Sequence, residues 1–334
     1  MPFFETPGDI ILDISSNDSS LKLKVKDADG HYTIPYIQSS SSLNIRLQES
    51  HKQIYLSRGN RRVEPQKKTD HYTFSQLSPG EYKLVIDDRT YSPVGIGTVI
   101  AALGDSITEG YHGHWFHKDK LELSAADFPS SSVSGDKRNF PQFSPTAHIF
   151  KPEANCQQSW MTDLNDHLTA HFNQPFFIAN EGWGGATSAK YLELVKTDEN
   201  WRERIHKLQP SMWLIHLGVN DERLSMPETD FYDNMNQLID LLKQDFNAKP
   251  EQIFLARTSY DYEANRELLD AYLVKIDELI AQHGLKPGPD FFKAYSNNRE
   301  KWYGEDQAHP NIAGMEYMAE LWAEAIIKAT SYHY

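Results

Sequence analysis

The sequence predicts an α/β protein with a parallel sheet, preceded by a small all-β domain. Three observations predict it. Up to about residue 95, short segments of strand character are separated by turn chemistry. Beyond that point, apolar runs alternate with long amphipathic stretches. The length of 334 residues also exceeds what one compact core usually takes. The expected domains are therefore residues 1–95 and 96–334.

In the first domain, strands are expected at 10–15, 21–26, 32–38, 43–49, 53–57, 71–77 and 82–87. Several alternate in polarity, as in L-K-L-K-V-K at 21–26, and Asp29-Gly30 and Pro79-Gly80 supply turns. Short strands at this spacing suggest an antiparallel sandwich of jelly-roll or immunoglobulin-like kind. No chemistry stands out among them.

In the second domain, T-V-I-A-A-L at 98–103 reads as a buried strand. A helix at 156–172 is predicted by Trp160, Leu164 and Leu168, each four residues apart. Strands follow at 175–179, 212–217, 252–256 and 291–295, with helices after Gly185 and at 228–246, 264–283 and 312–329. Such alternation implies right-handed crossovers and a sheet covered on both faces, with a ligand crevice beyond the strands' carboxyl ends. Residues 111–155, rich in Ser, Pro, His and aromatics, fit neither pattern. Loops this long are usually functional or disordered, and a lid or substrate wall and an idle surface insertion are both open readings.

Bulk properties narrow the function classes. Aromatics make up 12% and the mean hydropathy is −0.61, which suits a folded globular chain. The formal net charge of −14 repels phosphate backbones and argues against a nucleic-acid partner. The single cysteine, Cys156, excludes an intrachain disulfide. No window approaches the roughly 18 apolar residues of a membrane span, and the N-terminal residues lack a basic region followed by an apolar one. A cytoplasmic protein is the expectation, with an exported one whose signal has been removed as the alternative.

Four segments carry chemistry. G-D-S-I-T-E-G at 104–110 ends a buried strand, so Ser106 emerges at its carboxyl end with an N–H free to face a ligand if a helix begins there. N-E-G-W-G-G-A-T-S at 180–188 clusters glycines, which let a backbone N–H approach a substrate. G-V-N-D at 218–221 offers the Asn220 amide as a donor. D-Q-A-H-P-N at 306–311 spaces Asp306 and His309 for one face of a turn, where a carboxylate fixes an imidazole tautomer. Singly, each segment reads as a turn or a helix cap. Together they supply a nucleophile, a base, an orienting acid and three donors suited to an oxyanion hole.

The order G-D-S, N-x-G-x-x-G-x-T-S, G-x-N-D, D-x-x-H-P resembles the SGNH hydrolases, also called GDSL esterases/lipases, over about residues 97–330. The resemblance implies a three-layer α/β/α flavodoxin-like fold. It also implies a serine esterase without metal or organic cofactor. It assigns Ser106 as nucleophile, His309 as base and Asp306 as acid, with Ser106, Gly185 and Asn220 forming the oxyanion hole. Gly184 stands beside Gly185, so the glycine assignment has a one-residue alternative. Gln307 stands where the last block commonly has Gly. An N-terminal β-sandwich is similar to that of some carbohydrate esterases, which points to short acyl esters on a carbohydrate or another small molecule. A lipase, lysophospholipase or thioesterase is the alternative within the family. A non-catalytic carbohydrate-binding protein is the alternative outside it.

Trp183, beside the glycines, is a candidate substrate contact; Trp302 and Tyr303 are weaker ones. Asp105 is a further candidate at the substrate, with local backbone bonding as its plainer role. His216 reads as a satisfied core histidine, and Arg257 as a residue that can reach the crevice. His112, His114 and His117 admit a zinc site, but no cysteine lies near them and a loop role ranks higher.

Overall fold

The computed structural model describes residues 4–6, 11–15, 25–26, 32–34, 36–38, 41–47, 53–87, 89–111, 159–262, 264–304 and 306–330. The chain divides into two compact units. One is formed by residues up to Val99 with Phe172–Phe177 and Glu203–Pro210, and the other by the remainder from Ile100 onward.

The first unit is all-β over its N-terminal residues. Its strands form sheets of three, four and five strands, paired antiparallel except where Tyr36–Gln38 runs parallel to Arg89–Ile96. Leu43, Ile45 and Phe74 of the four-stranded sheet share one buried cluster with Ile54, Leu56, Leu84, Ile86, Val94 and Ile96 of the five-stranded sheet. Alternation explains which residues turn inward: Gly80–Ile86 reads buried, exposed, buried, exposed along its first four positions. The predicted segment 32–38 is two strands, Tyr32–Ile34 and Tyr36–Gln38, which lie in different sheets. The predicted segment at 21–24 lies outside the described residues.

A five-stranded sheet lies mostly in the second unit. Numbered along the chain, its strands are β1 (Thr98–Gly104), β2 (Phe176–Gly182), β3 (Met212–His216), β4 (Ile253–Arg257) and β5 (Lys286–Asp290). Their spatial order is β2-β1-β3-β4-β5. The pairings β1–β3, β3–β4 and β4–β5 are parallel. This is the flavodoxin-like doubly wound order, whose switch point lies between β1 and β3. Val99 to Leu103 in β1 are at most 1% exposed, the continuous burial of a strand covered on both faces. Each such Val, Leu or Ile stabilises the fold by ~1.5–3 kcal/mol.

Helices cover the sheet as their periodicity requires. Trp160–Phe172 buries Trp160, Leu164 and Leu168, and Trp160 stacks on Trp322 of Ile312–Thr330 at 5.7 Å. Glu228–Asp245 and Arg266–His283 meet through Phe231 and Tyr272, stacked at 4.4 Å. Asn265 caps the latter helix by accepting from the N–H groups of Glu267 and Leu268, and Gly284 ends it in the left-handed conformation. No helix among the described residues is long and apolar enough to cross a membrane.

One predicted element is corrected. The segment 291–295 is not a strand but a helix, Phe291–Tyr295, started by Asp290 accepting from the Lys293 N–H. The strand is the preceding K-P-G-P-D. Two prolines and a glycine hide a strand in sequence, and they are tolerated here because β5 is at the sheet edge. Residues 112–155, with His112, His114 and His117, lie outside the described residues.

Candidate active site

Ser106 is the first residue of a single-turn helix, Ser106–Glu109, that begins where β1 ends. Asp105 caps this helix, its Oδ1 accepting from the Ile107 N–H at 3.0 Å. Asp105 is fully buried, and burial pushes its carboxyl up to about 6 against the opposing Ile107 N–H and His309 charge, with Asp221 adding to the rise.

The loop from 303 to 311 brings in the partners. Ser106 Oγ and His309 Nε2 are 2.7 Å apart, across 203 residues of sequence. His309 Nδ1 and Asp306 Oδ2 are 2.6 Å apart. The second Asp306 oxygen, Oδ1, accepts from the N–H groups of Ala308 and His309, both at 3.1 Å. Burial pushes the Asp306 carboxyl up, but the hydrogen bond and charge of His309 and these two N–H groups outweigh it and hold it at about 2. The loop is pinned at its base. Tyr303 bridges Pro310, the Gly304 N–H donates to the His309 carbonyl, and the Asn311 amide donates to the carbonyls of Lys301 and Tyr303. Gln307 takes φ 61°, a left-handed conformation that glycine adopts without cost.

The loop after β2 lies against the same helix. Its Trp183 N–H donates to the Gly104 carbonyl at 2.9 Å, and its Gly184 N–H to Glu109 Oε2 at 2.7 Å. Gly182 is required by close approach, since a Cβ there would stand 2.2 Å from the backbone nitrogen of Glu109. Gly185 is exposed, with φ 73°. Asn220, in the helix Val219–Arg223 after β3, donates from its side chain to the Ala186 carbonyl at 3.0 Å. The ends of β2, β1 and β3, neighbours at the switch point, are thus joined by hydrogen bonds.

The structure brings Ser106, His309 and Asp306 together and links the segments that carry Gly185 and Asn220 to the same place. Trp183 is half-buried beside Gly185. Trp302 is engaged elsewhere, its ring stacked on Tyr317 at 4.4 Å with Lys301 Nζ 3.9 Å above it. The hydroxyl of Tyr303 donates to the Tyr260 carbonyl. Arg257 is held by Asp277 and Asp290. His216 is buried and neutral, pushed down to about 4 by burial, with Nε2 3.1 Å from Ser259 Oγ. Among the described residues, no group of three His, Cys, Asp or Glu side chains could hold a metal.

Sequence reasoning did not assign the roles that four residues take here. Glu109 and Asn180 tie down the glycine loop, Asn180 accepting from the Gly182 N–H and donating to the Glu109 carbonyl. Asp221 accepts the Ser188 N–H on both oxygens and the Ser188 hydroxyl at 2.5 Å, anchoring the helix that follows the loop. Tyr111 sets its ring 5.4 Å from that of His309. A carboxyl three residues after Ser106 was the available signal for Glu109; the others depend on tertiary contacts.

The chain is similar in fold to several solved structures. A lipase/acylhydrolase from Enterococcus faecalis is 18% identical, with 70% of this chain and 96% of that chain covered and a TM-score of 0.48. A psychrotrophic esterase from Pseudoalteromonas sp. is 16% identical, with 70% and 99% covered and a TM-score of 0.48. An acetyl-xylooligosaccharide esterase from Geobacillus Stearmophilus, in mutant form, is 16% identical, with 70% and 95% covered and a TM-score of 0.45. No curated protein sequence matches the chain. Residues 102–317 match the GDSL-like Lipase/Acylhydrolase family, a span that holds all four segments at the Ser106 site. The chain therefore belongs to the GDSL-like lipase/acylhydrolase family and is a carboxylic ester hydrolase.

Proposed function

We propose that the protein is a serine esterase that removes acetyl or other short acyl groups from a carbohydrate, with Ser106 as nucleophile, His309 as base and Asp306 as orienting acid. The observation that carries this reading is the continuous hydrogen-bonded line from Ser106 Oγ through the His309 ring to Asp306. His309 Nε2 takes the hydroxyl proton as Ser106 Oγ attacks the ester carbonyl. Asp306 keeps the other ring proton on Nδ1 and stabilises the imidazolium. The Ser106 and Gly185 N–H groups and the Asn220 amide receive the negative oxygen. The same imidazolium then protonates the departing alcohol. Water, deprotonated by His309, attacks the acyl-enzyme, releases the acid and regenerates Ser106. None of these steps needs a metal or an organic cofactor.

The carbohydrate assignment is supported by two aromatic residues carried near the triad. The half-buried Trp183 beside Gly185 and the Tyr111 ring against His309 offer apolar faces of the kind that stack on sugar rings. Two assays test the reading. A fluorophosphonate should label Ser106 in the wild type and fail to label Ser106→Ala. Acetate release from acetylated polysaccharides should run beside hydrolysis of p-nitrophenyl esters of increasing chain length. A preference for long acyl chains would replace the carbohydrate deacetylase with a lipase of the same family. Absence of labelling would return the chain to a binding role.

A further inference from the structure

From the last residue of β2 into the loop after it, four of five successive backbone N–H groups have a partner. Gly182 donates to Asn180 Oδ1 at 3.0 Å. Trp183 donates to the Gly104 carbonyl at 2.9 Å, and Ala186 to the Trp183 carbonyl at 3.0 Å. Gly184 donates to Glu109 Oε2 at 2.7 Å. Gly185 donates to no group among the described residues, and it is exposed. Glu109 is 3% exposed, and burying a carboxyl is costly unless its oxygens are satisfied. Glu109 also belongs to the same helical turn as Ser106, three residues on.

We infer that Glu109 is a positioning residue for the oxyanion hole. It takes up the Gly184 N–H, locks the glycine loop to the turn that bears the nucleophile, and leaves the Gly185 N–H as the one presented to substrate. This rests on the esterase reading above. The consequence is geometric: one rigid turn fixes both the attacking oxygen and the loop that holds a donor for the oxygen it creates. It also decides between the adjacent glycines, since the Gly184 N–H is already committed.

The test compares Glu109→Ala and Glu109→Gln with wild type on p-nitrophenyl acetate. Rates are expressed per active site titrated to completion with a phosphonate, so that misfolded protein does not count. Glutamine retains an oxygen that can accept from Gly184; alanine does not. A displaced donor costs at most what a deleted one costs, ~10²–10³ in rate. The expected result is a fall of about 10–100-fold in kcat for Glu109→Ala with KM changed less than about threefold, and a Glu109→Gln rate at least a third of wild type. A Glu109→Ala kcat equal to wild type would overturn the inference, as would a Glu109→Gln kcat as low as that of Glu109→Ala. Ser106→Ala is measured alongside. If it turned over like wild type, the esterase reading itself would fall and this inference with it. If it is inactive while Glu109→Ala is unimpaired, only the role of Glu109 falls.

Discussion

Replacing Asp306 with asparagine tests the orienting role with almost no change of shape. In the wild type both carboxyl oxygens accept: Oδ2 faces His309 Nδ1 at 2.6 Å, and Oδ1 receives the N–H groups of Ala308 and His309 at 3.1 Å. Asparagine has one acceptor, so it must choose. With its oxygen toward the two backbone N–H groups, its NH₂ faces Nδ1, which must then be unprotonated. The proton moves to Nε2, and His309 can no longer accept from Ser106. With its oxygen toward Nδ1 the tautomer is correct, but two backbone hydrogen bonds are lost. At ~0.5–1.5 kcal/mol each, their loss disfavours the productive arrangement by about 1–3 kcal/mol, or roughly 5–150-fold. Loss of the carboxylate that stabilises the imidazolium lowers the rate further, toward the ~10⁴-fold limit seen when such a carboxylate is replaced. The expected kcat on p-nitrophenyl acetate is therefore ~10²–10⁴ below wild type, with KM changed less than about threefold in a protein that still folds. A kcat above a third of wild type in a folded Asp306→Asn protein would refute the tautomer argument.

Three further outcomes are expected. Asn220→Ala should lower kcat by ~10²–10³ and keep measurable turnover, whereas Ser106→Ala should lose nearly all of it; equal, full activity in both would remove the assignment. Gly182→Ala places a methyl group 2.2 Å from the Glu109 backbone nitrogen and 2.6 Å from the Thr108 carbonyl carbon, neither of which can swing aside. Thermal melts should show destabilisation of ~1–3 kcal/mol, roughly 2–10 °C in Tm, and an unchanged melt would contradict the close approach. The third concerns pH. Burial raises Asp105 from 3.8 to about 6 and lowers His216 from 6.5 to about 4. Folded protein keeps the Asp105 proton that the unfolded chain releases, so this residue's contribution is lost as pH rises from about 4 to about 6. Folded His216 sheds a proton that the unfolded chain holds, so its contribution grows as pH rises through nearly the same window. The two oppose in wild type. Asp105→Asn removes the falling part that Asp105 supplies, so its Tm relative to wild type should climb between pH 4 and 6; parallel curves would count against the burial argument.

The parts of this molecule legible in sequence are those set by local chemistry. Each of the four site segments is a few residues long, and its turn or cap residues identify it without tertiary information. The helices at 228–245 and 266–283 follow from periodicity, because a helix packed on a sheet must present one apolar stripe. What escaped depends on neighbours distant in sequence. K-P-G-P-D is a strand because the edge of the sheet asks little of its N–H groups. The run 291–295 is a helix because Asp290 caps it, and a five-residue segment with three buried aromatics does not reveal its period. Arg257 could be expected at the crevice only because Asp277 and Asp290, its actual partners, are 20 and 33 residues away. Trp302 was an aromatic near Asp306 in sequence, but Tyr317 of the last helix takes its ring.

The same distinction bears on why acidic side chains crowd a site that must accommodate a negative oxygen. Asp105, Glu109 and Asp221 are all buried around the Ser106 turn and the loop after β2. A like charge about 4 Å away in an effective dielectric of about 20 costs about 4 kcal/mol, as much as one oxyanion donor contributes. Three carboxyls free to face the oxyanion would cancel the hole. Each is instead turned to backbone N–H groups: Ile107 for Asp105, Gly184 for Glu109 and Ser188 for Asp221. Burial also raises Asp105 and Asp221, favouring their uncharged forms. On this argument the acids set which N–H groups stay available, and orientation outweighs repulsion. Glu109→Gln separates the two effects, because it keeps the acceptor and removes the acid. A rate at or slightly above wild type fits orientation with a small residual repulsion. A rate far above it would mean that repulsion dominates and that the acids are retained for stability alone.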